Sequence, residues 1–164
     1  MAAKRAMTIF EAAIVAAVLG IVLFIVAGGV GSVRQQAKRN LCARLMAGLG
    51  EALAQYHAKT GDYPPGRPDA SAGPAIAAML AVPEAAAELK DLPAVLQLGA
   101  DPHVGGVDPW GRPVRYLTAA SPTESARREV AANGDVPIFE SAGGDGDFGE
   151  TDPAAAADNH RSTD

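Results

Sequence analysis

The sequence predicts an α+β fold in which one long N-terminal helix lies against a small antiparallel β-sheet, with a loop region at the C-terminal end. Three observations carry that expectation. From Ala12 to Val33, 22 consecutive residues contain no Asp, Glu, Lys, Arg or His. Directly after this block, Leu41, Leu45, Leu49, Leu53 and Tyr56 recur as one apolar stripe of a 3.6-residue helix. Further on, Pro and Gly divide the chain into short runs, two of which, Val114–Leu117 and Val136–Ser141, read as strands.

Composition narrows the class. The chain has 164 residues, 48% hydrophobic but only 5% aromatic and 20% charged, so its apolar content is aliphatic and leaves few large side chains for a core. A net charge of −5 and a pI near 5.1 argue against nucleic acid as a partner, because phosphate binding relies on clustered Lys and Arg. Cys42 is the single cysteine, which excludes an intrachain disulfide and a cysteine-based zinc site. Its ordinary reading is a small apolar residue on a helix.

Taken in order, residues 1–6 form a short basic leader with Lys4 and Arg5. Residues 7–33 form a transmembrane segment, since roughly 20 apolar residues span a ~30 Å hydrocarbon layer. A removable secretory signal has a 7–15-residue apolar centre. This run is longer and continues into a polar helix, so a retained anchor is expected. Charge alone does not orient it, because Arg34, Lys38, Arg39 and Arg44 follow the span. Glu11 stands at its start. Inside a span a carboxylate marks a functional site with a partner, while at the interface it suits the positive end of the helix dipole.

Residues 34–58 continue the same helix in amphipathic form, making it roughly 75 Å long from Thr8 to Ala58 at 1.5 Å per residue. Gly28, Gly29 and Gly31 weaken it where it leaves the membrane. Thr60-Gly-Asp-Tyr-Pro-Pro-Gly66 ends it and opens an α+β domain over residues 59–152, which the resemblance given below places in the periplasm. Ala75–Leu80 and Glu84–Leu89 read as short helices separated by Pro83, which suits a first helical turn. Leu92–Gly106 resists classification, and His103 within it has no local partner. In Asp108-Pro-Trp-Gly-Arg-Pro-Val-Arg-Tyr-Leu117 the only Trp sits in a turn that the indole fixes to the core, followed by a strand. Val136–Ser141 gives a second strand, Arg127–Ala131 a third, and residues 153–164 a flexible C-terminal tail.

Acidity is concentrated at the end. From Asp135 onward eight acidic residues face Arg161 alone, leaving −7 there and +2 on the preceding 134 residues. Ser141-Ala-Gly-Gly-Asp145-Gly-Asp147-Phe-Gly-Glu150-Thr-Asp152 packs four acids among four glycines. Like charges repel, and glycine makes ordering costly. A calcium ion would remedy both, since Ca²⁺ takes six to eight oxygens from flexible loops. A solvated acidic segment is the other reading, because the EF-hand pattern is incomplete and Ala156 stands at its twelfth position.

The N-terminal residues resemble the type IV pilin and type II secretion pseudopilin class: a basic leader, a small residue, then Met7-Thr-Ile-Phe-Glu11 opening an apolar helix. Gly61, Tyr63 and Pro64 extend the resemblance, and Asp108–Leu117 is similar to the strand segment of the major (G-type) pseudopilin. Ala6 differs from the glycine usual before the cut. The resemblance implies a pilin-like fold, cleavage by prepilin peptidase between Ala6 and Met7, and N-methylation of Met7. Glu11 would then pair with the Met7 amine of a neighbouring subunit, which lowers the cost of burying both charges and sets axial register. It also implies calcium in the acidic loop. Ser141, Gly143, Asp145 and Gly146 match, Asp152 stands seven residues after Asp145, and Asp147 or Glu150 would supply the companion that Pro153 lacks. The metal set is then Asp145, Asp147 and Asp152.

On this reading the chain is a structural subunit of a periplasmic pseudopilus, in the inner membrane by a single pass, with its C-terminal domain in the periplasm. Its partners would be copies of itself, other pseudopilins, the inner-membrane secretion platform, prepilin peptidase and membrane lipid. A type IV pilin or minor pseudopilin is the alternative within the class. From another class comes a membrane-anchored periplasmic binding module or enzyme. No catalytic residues are assigned, because no nucleophile–base pair, histidine metal cluster or phosphate loop is visible and His57, His103 and His160 are scattered.

Overall fold

The computed structural model describes residues 9–67, 70–90, 92, 106–149 and 153–163, with residues 22–30, 153 and 155 described in backbone only. The architecture is α+β. Helix α1 runs unbroken from Ile9 to Thr60, close to the expected bounds. The chain divides into two compact units inside it, residues 1–37 and residues 38–164. In the first unit Ile9 and Phe10 are 91% and 75% exposed, and Ile14, Val15, Val18, Leu19, Ile21 and Val33 are exposed as well. Among the described residues no helix is long and apolar enough to cross a membrane. The leader 1–6, Met7 and the side chains at the centre of the expected span 7–33 lie outside the described residues.

In the second unit the apolar stripe of α1 becomes core. Leu45, Leu49 and Leu53 are buried, together with Cys42, Met46 and Ala52 beside them, while Leu41 and Tyr56 are half-buried. Gly61, at φ +81°, ends the helix by donating its N–H to the His57 carbonyl. Helices α2 (Gly73–Leu80) and α3 (Pro83–Lys90) follow, α3 opening on Pro83 as the sequence implies. They bury Ala75, Ile76, Met79, Ala85 and Leu89 against the α1 stripe. Lys59, late in α1, pairs with Glu84 at the start of α3 on the surface.

Three antiparallel strands make the sheet in the order β1 (Arg115–Leu117), β2 (Ile138–Ser141), β3 (His160–Arg161). Side chains alternate across it. Tyr116 and Phe139, paired in register with ring centroids 4.7 Å apart, face the α1 core. Leu117 and Ile138 face the other way and pack with Ala126 and Val130 of helix α4 (Glu124–Ala132). All four residues of β2 are therefore buried. The Tyr116 hydroxyl donates to the Pro64 carbonyl at 3.1 Å, tying the sheet to the turn after α1.

Two expectations are corrected. Arg127–Ala131 is part of α4, not a strand. Thr123 is an extended N-cap whose hydroxyl accepts from the Ala126 N–H, and the buried pair Ala126 and Val130 has helical, not alternating, spacing. The third strand is His160–Arg161, inside the segment expected to be a flexible tail. That segment forms a 3₁₀ turn over Pro153–Asp158 and then pairs with β2 through Glu140↔Arg161 and Ser141↔His160. Ser162 extends the pairing, donating its N–H to the Phe139 carbonyl and accepting the Phe139 N–H on its hydroxyl.

Candidate functional site

The densest polar chemistry among the described residues lies where three turns meet: Asp108–Arg112, Ala142–Gly149 and the 3₁₀ turn ending at Asp158. Asp108 is 1% exposed, a burial that a carboxylate tolerates only with several donors. Its Oδ1 accepts the N–H groups of Trp110 and Arg112, both at 2.9 Å, which forms the turn around Gly111 at φ +84°. Its Oδ2 accepts the Ser141 hydroxyl at 2.8 Å. Ser141 faces α1, because it shares the Phe139 side of β2, and there it borders the Cys42 thiol. Burial pushes that thiol up to about 11, with the Ser141 hydroxyl acting against the shift and the Asp108 charge adding to it.

The same turn aims Arg112 at the acidic loop. Its Nη1 donates to the Gly143 carbonyl at 2.8 Å and its Nη2 to the Gly144 carbonyl at 3.0 Å. From the opposite side Asp158 Oδ2 accepts the Gly144 N–H at 2.7 Å and the Asp145 N–H at 3.4 Å. Two glycines are required here. Gly143, at φ +62°, has the Asp158 carbonyl oxygen 2.3 Å from where a Cβ would stand, and Gly146, at φ +84°, has the Arg112 guanidinium carbon at 2.5 Å. The glycine content thus admits a side chain and a backbone segment into the loop at close range. Trp110 lies alongside, near Gly144 and stacked on His160 at 6.3 Å between centroids.

Beside the loop, one residue from each strand forms a charged row. Glu140, 1% exposed, accepts from Arg115 Nη2 at 2.8 Å on one side and from Arg161 Nη2 at 3.1 Å on the other. Arg161 also reaches Glu129 of α4 at 3.2 Å. Burial, and then the Glu140 charge, hold the Glu129 carboxyl above the usual range despite that partner. The Phe148 ring covers Arg115, whose guanidinium carbon stands 3.4 Å from its centroid.

The expected site residues fall as follows. Ala6, Met7, Glu150, Asp152 and His103 lie outside the described residues. Glu11 is in the first described turn of α1, exposed and engaged in an interaction there. His57 stacks on Tyr63 at 4.2 Å, and His160 on Trp110, so the two lie in separate aromatic contacts. Asp145 and Asp147 are exposed, and each turns its Oδ1 onto a loop N–H two residues on, that of Asp147 and of Gly149. Among the described residues no group of three or more His, Cys, Asp or Glu side chains is placed to hold a metal ion.

Around the loop where calcium is expected, several oxygens are already hydrogen-bonded, while Asp158 Oδ1 is buried without a hydrogen-bond partner. The Gly143 and Gly144 carbonyls accept from Arg112. The Ser141 hydroxyl donates inward to Asp108 while accepting the Gly143 N–H at 3.2 Å. A calcium ion needs six to eight oxygens, and two of the expected ligands, Glu150 and Asp152, lie outside the described residues. The residues missed from sequence are Asp108, Arg112, Glu140 and Asp158. Asp108 carried the one available signal, an Asp opening a Pro- and Gly-bearing turn. No family model, curated protein or solved structure matches this chain.

Proposed function

We propose that the chain is a filament-forming subunit of the pilin-like class, a major pseudopilin supporting type II protein secretion from the inner membrane. The observation that carries this reading is the split character of α1. One continuous helix of 52 residues has its large apolar side chains exposed near its start and buried in an α+β domain in its second half. Ordinary globular domains do not leave such a row of Ile, Val, Leu and Phe in water. Lipid before assembly and the same segment of sister subunits after it are the two apolar environments that this reading supplies. The uncharged run Ala12–Val33 is long enough for the first. Glu11, paired with a neighbour's Met7 amine, would fix how far one subunit advances on the next.

The domain's role is to present a rigid surface on that helix. Tyr116 bonded to Pro64, and Asp108 bonded to Ser141, lock the sheet and its turns onto the α1 side of the core. Mass spectrometry of the mature chain from its native membrane tests the proposal. The expected result is an N-terminus at Met7 carrying one methyl group, and a chain that retains Met1 rejects it.

A further inference from the structure

The acidic loop poses an electrostatic problem that the implied calcium would solve from outside, yet the fold brings a cation of its own. Arg112 is delivered by a turn that Asp108 fixes through two hydrogen bonds at 2.9 Å, contacts that do not involve the loop itself. It grips two successive carbonyls, Gly143 and Gly144, with separate nitrogens at 2.8 and 3.0 Å. A planar fork matches two neighbouring acceptors in a way that a point charge does not. Asp158 completes the clamp from the other side by taking the Gly144 and Asp145 N–H groups. Gly144 is thus held through both its carbonyl and its N–H.

We propose that Arg112 is the closing cation of this loop and that the C-terminal region folds without a bound divalent ion. The glycines support the assignment. A Cβ on Gly146 would fall 2.5 to 2.8 Å from three atoms of the Arg112 guanidinium, so the loop is shaped around that side chain. One oxygen of each exposed carboxylate, Oδ1 of Asp145 and of Asp147, caps a local turn by accepting the N–H of Asp147 and of Gly149. The inference rests on loop geometry and is independent of the filament reading, whose test is the processed N-terminus.

The experiment uses the full chain in mild detergent, followed by the fluorescence of Trp110, the sole tryptophan, which lies beside Gly144. Melting is recorded in 2 mM CaCl₂ and in 2 mM EGTA. A site saturated at ~100 times its Kd raises the melting temperature by several degrees, so agreement within about 1 °C is the expected result. Arg112→Gln is expected to lower the Trp110 transition by at least about 4 °C in either buffer, the loss of two charge-assisted bonds. Arg112→Lys should recover less than half of that drop. A wild-type rise of more than about 3 °C with calcium overturns the proposal, and so does an Arg112→Gln chain that melts like wild type. If Arg112→Gln does not fold, the wild-type calcium comparison and Arg112→Lys still decide.

Discussion

Glu140 is buried and pairs with an arginine on each side, so a single change there perturbs the whole charged row. Glu140→Gln keeps the volume and one carbonyl acceptor but removes the negative charge between Arg115 and Arg161. At ~3–4 Å and an effective dielectric near 20, each pairing is worth about 4 kcal/mol before desolvation. Burying the carboxylate cancels much of that sum, so the net value of the row is small. Removing one member is different, because it leaves the other charges where they are. Arg161 keeps Glu129 at 3.2 Å, whereas Arg115, 20% exposed, keeps the Phe148 ring as its cationic contact among those described above. Loss of one partner of a buried pair costs about 3–5 kcal/mol, and the partial solvent access of both arginines places this case near 2–4 kcal/mol. For a unit of this size that is a fall of about 6–15 °C in melting temperature. Urea unfolding of the full chain in detergent, read by Trp110 fluorescence, measures it. A Glu140→Gln chain within about 1 kcal/mol of wild type would refute the reasoning, because the row would then be solvated rather than structural.

Three further perturbations follow from the same region. Gly143→Ala places a Cβ 2.3 Å from the Asp158 carbonyl oxygen at φ +62°, and a loss of about 2–3 kcal/mol is expected in the same urea assay. Glu129 has its folded-state carboxyl raised by burial and by Glu140, so the folded chain binds a proton more tightly than the unfolded one. Stability therefore falls as pH rises from the ordinary glutamate value through the raised one and is flat above. Glu129→Gln should abolish that decline when melting is followed from pH 4 to 7. Cys42, buried and pushed up to about 11, should resist a maleimide at pH 8 in the folded chain and react within minutes in urea; rapid labelling of the native protein contradicts its burial.

How much of this was legible in the sequence depends on range. Helix α1 was readable because its two signals, an uncharged run and a stripe at 3.6-residue spacing, are local and long. Pro83 and Thr60–Gly66 marked boundaries through backbone restrictions that need no tertiary context. β3 was not readable. His160–Arg161 is two residues of polar sequence, and it is a strand because Arg161 pairs with a Glu140 that is buried 21 residues earlier. Arg127–Ala131 is helical where the sequence suggests a strand, and the deciding facts are the Thr123 cap and the Ala126–Val130 spacing.

The acidic loop shows why charge counting along a chain misleads. Read linearly, the region from Asp135 onward carries eight acids and one base, an excess that calls for an external cation. Folded, the described part of it draws on bases from elsewhere: Arg112 from the turn before β1 and Arg115 from β1 itself, 25 or more residues upstream. Glu140 accepts from the two strand arginines and Asp158 Oδ2 from two loop N–H groups, while Asp158 Oδ1 is buried without a hydrogen-bond partner. On the proposal made above, the loop draws its cation from its own chain, and its closure depends on the Asp108 turn that holds Arg112. That dependence is testable: Asp108→Ala should disorder the acidic loop as fully as Arg112→Gln does, because it removes the bonds that hold the Arg112 turn and the Ser141 hydroxyl at the loop's edge.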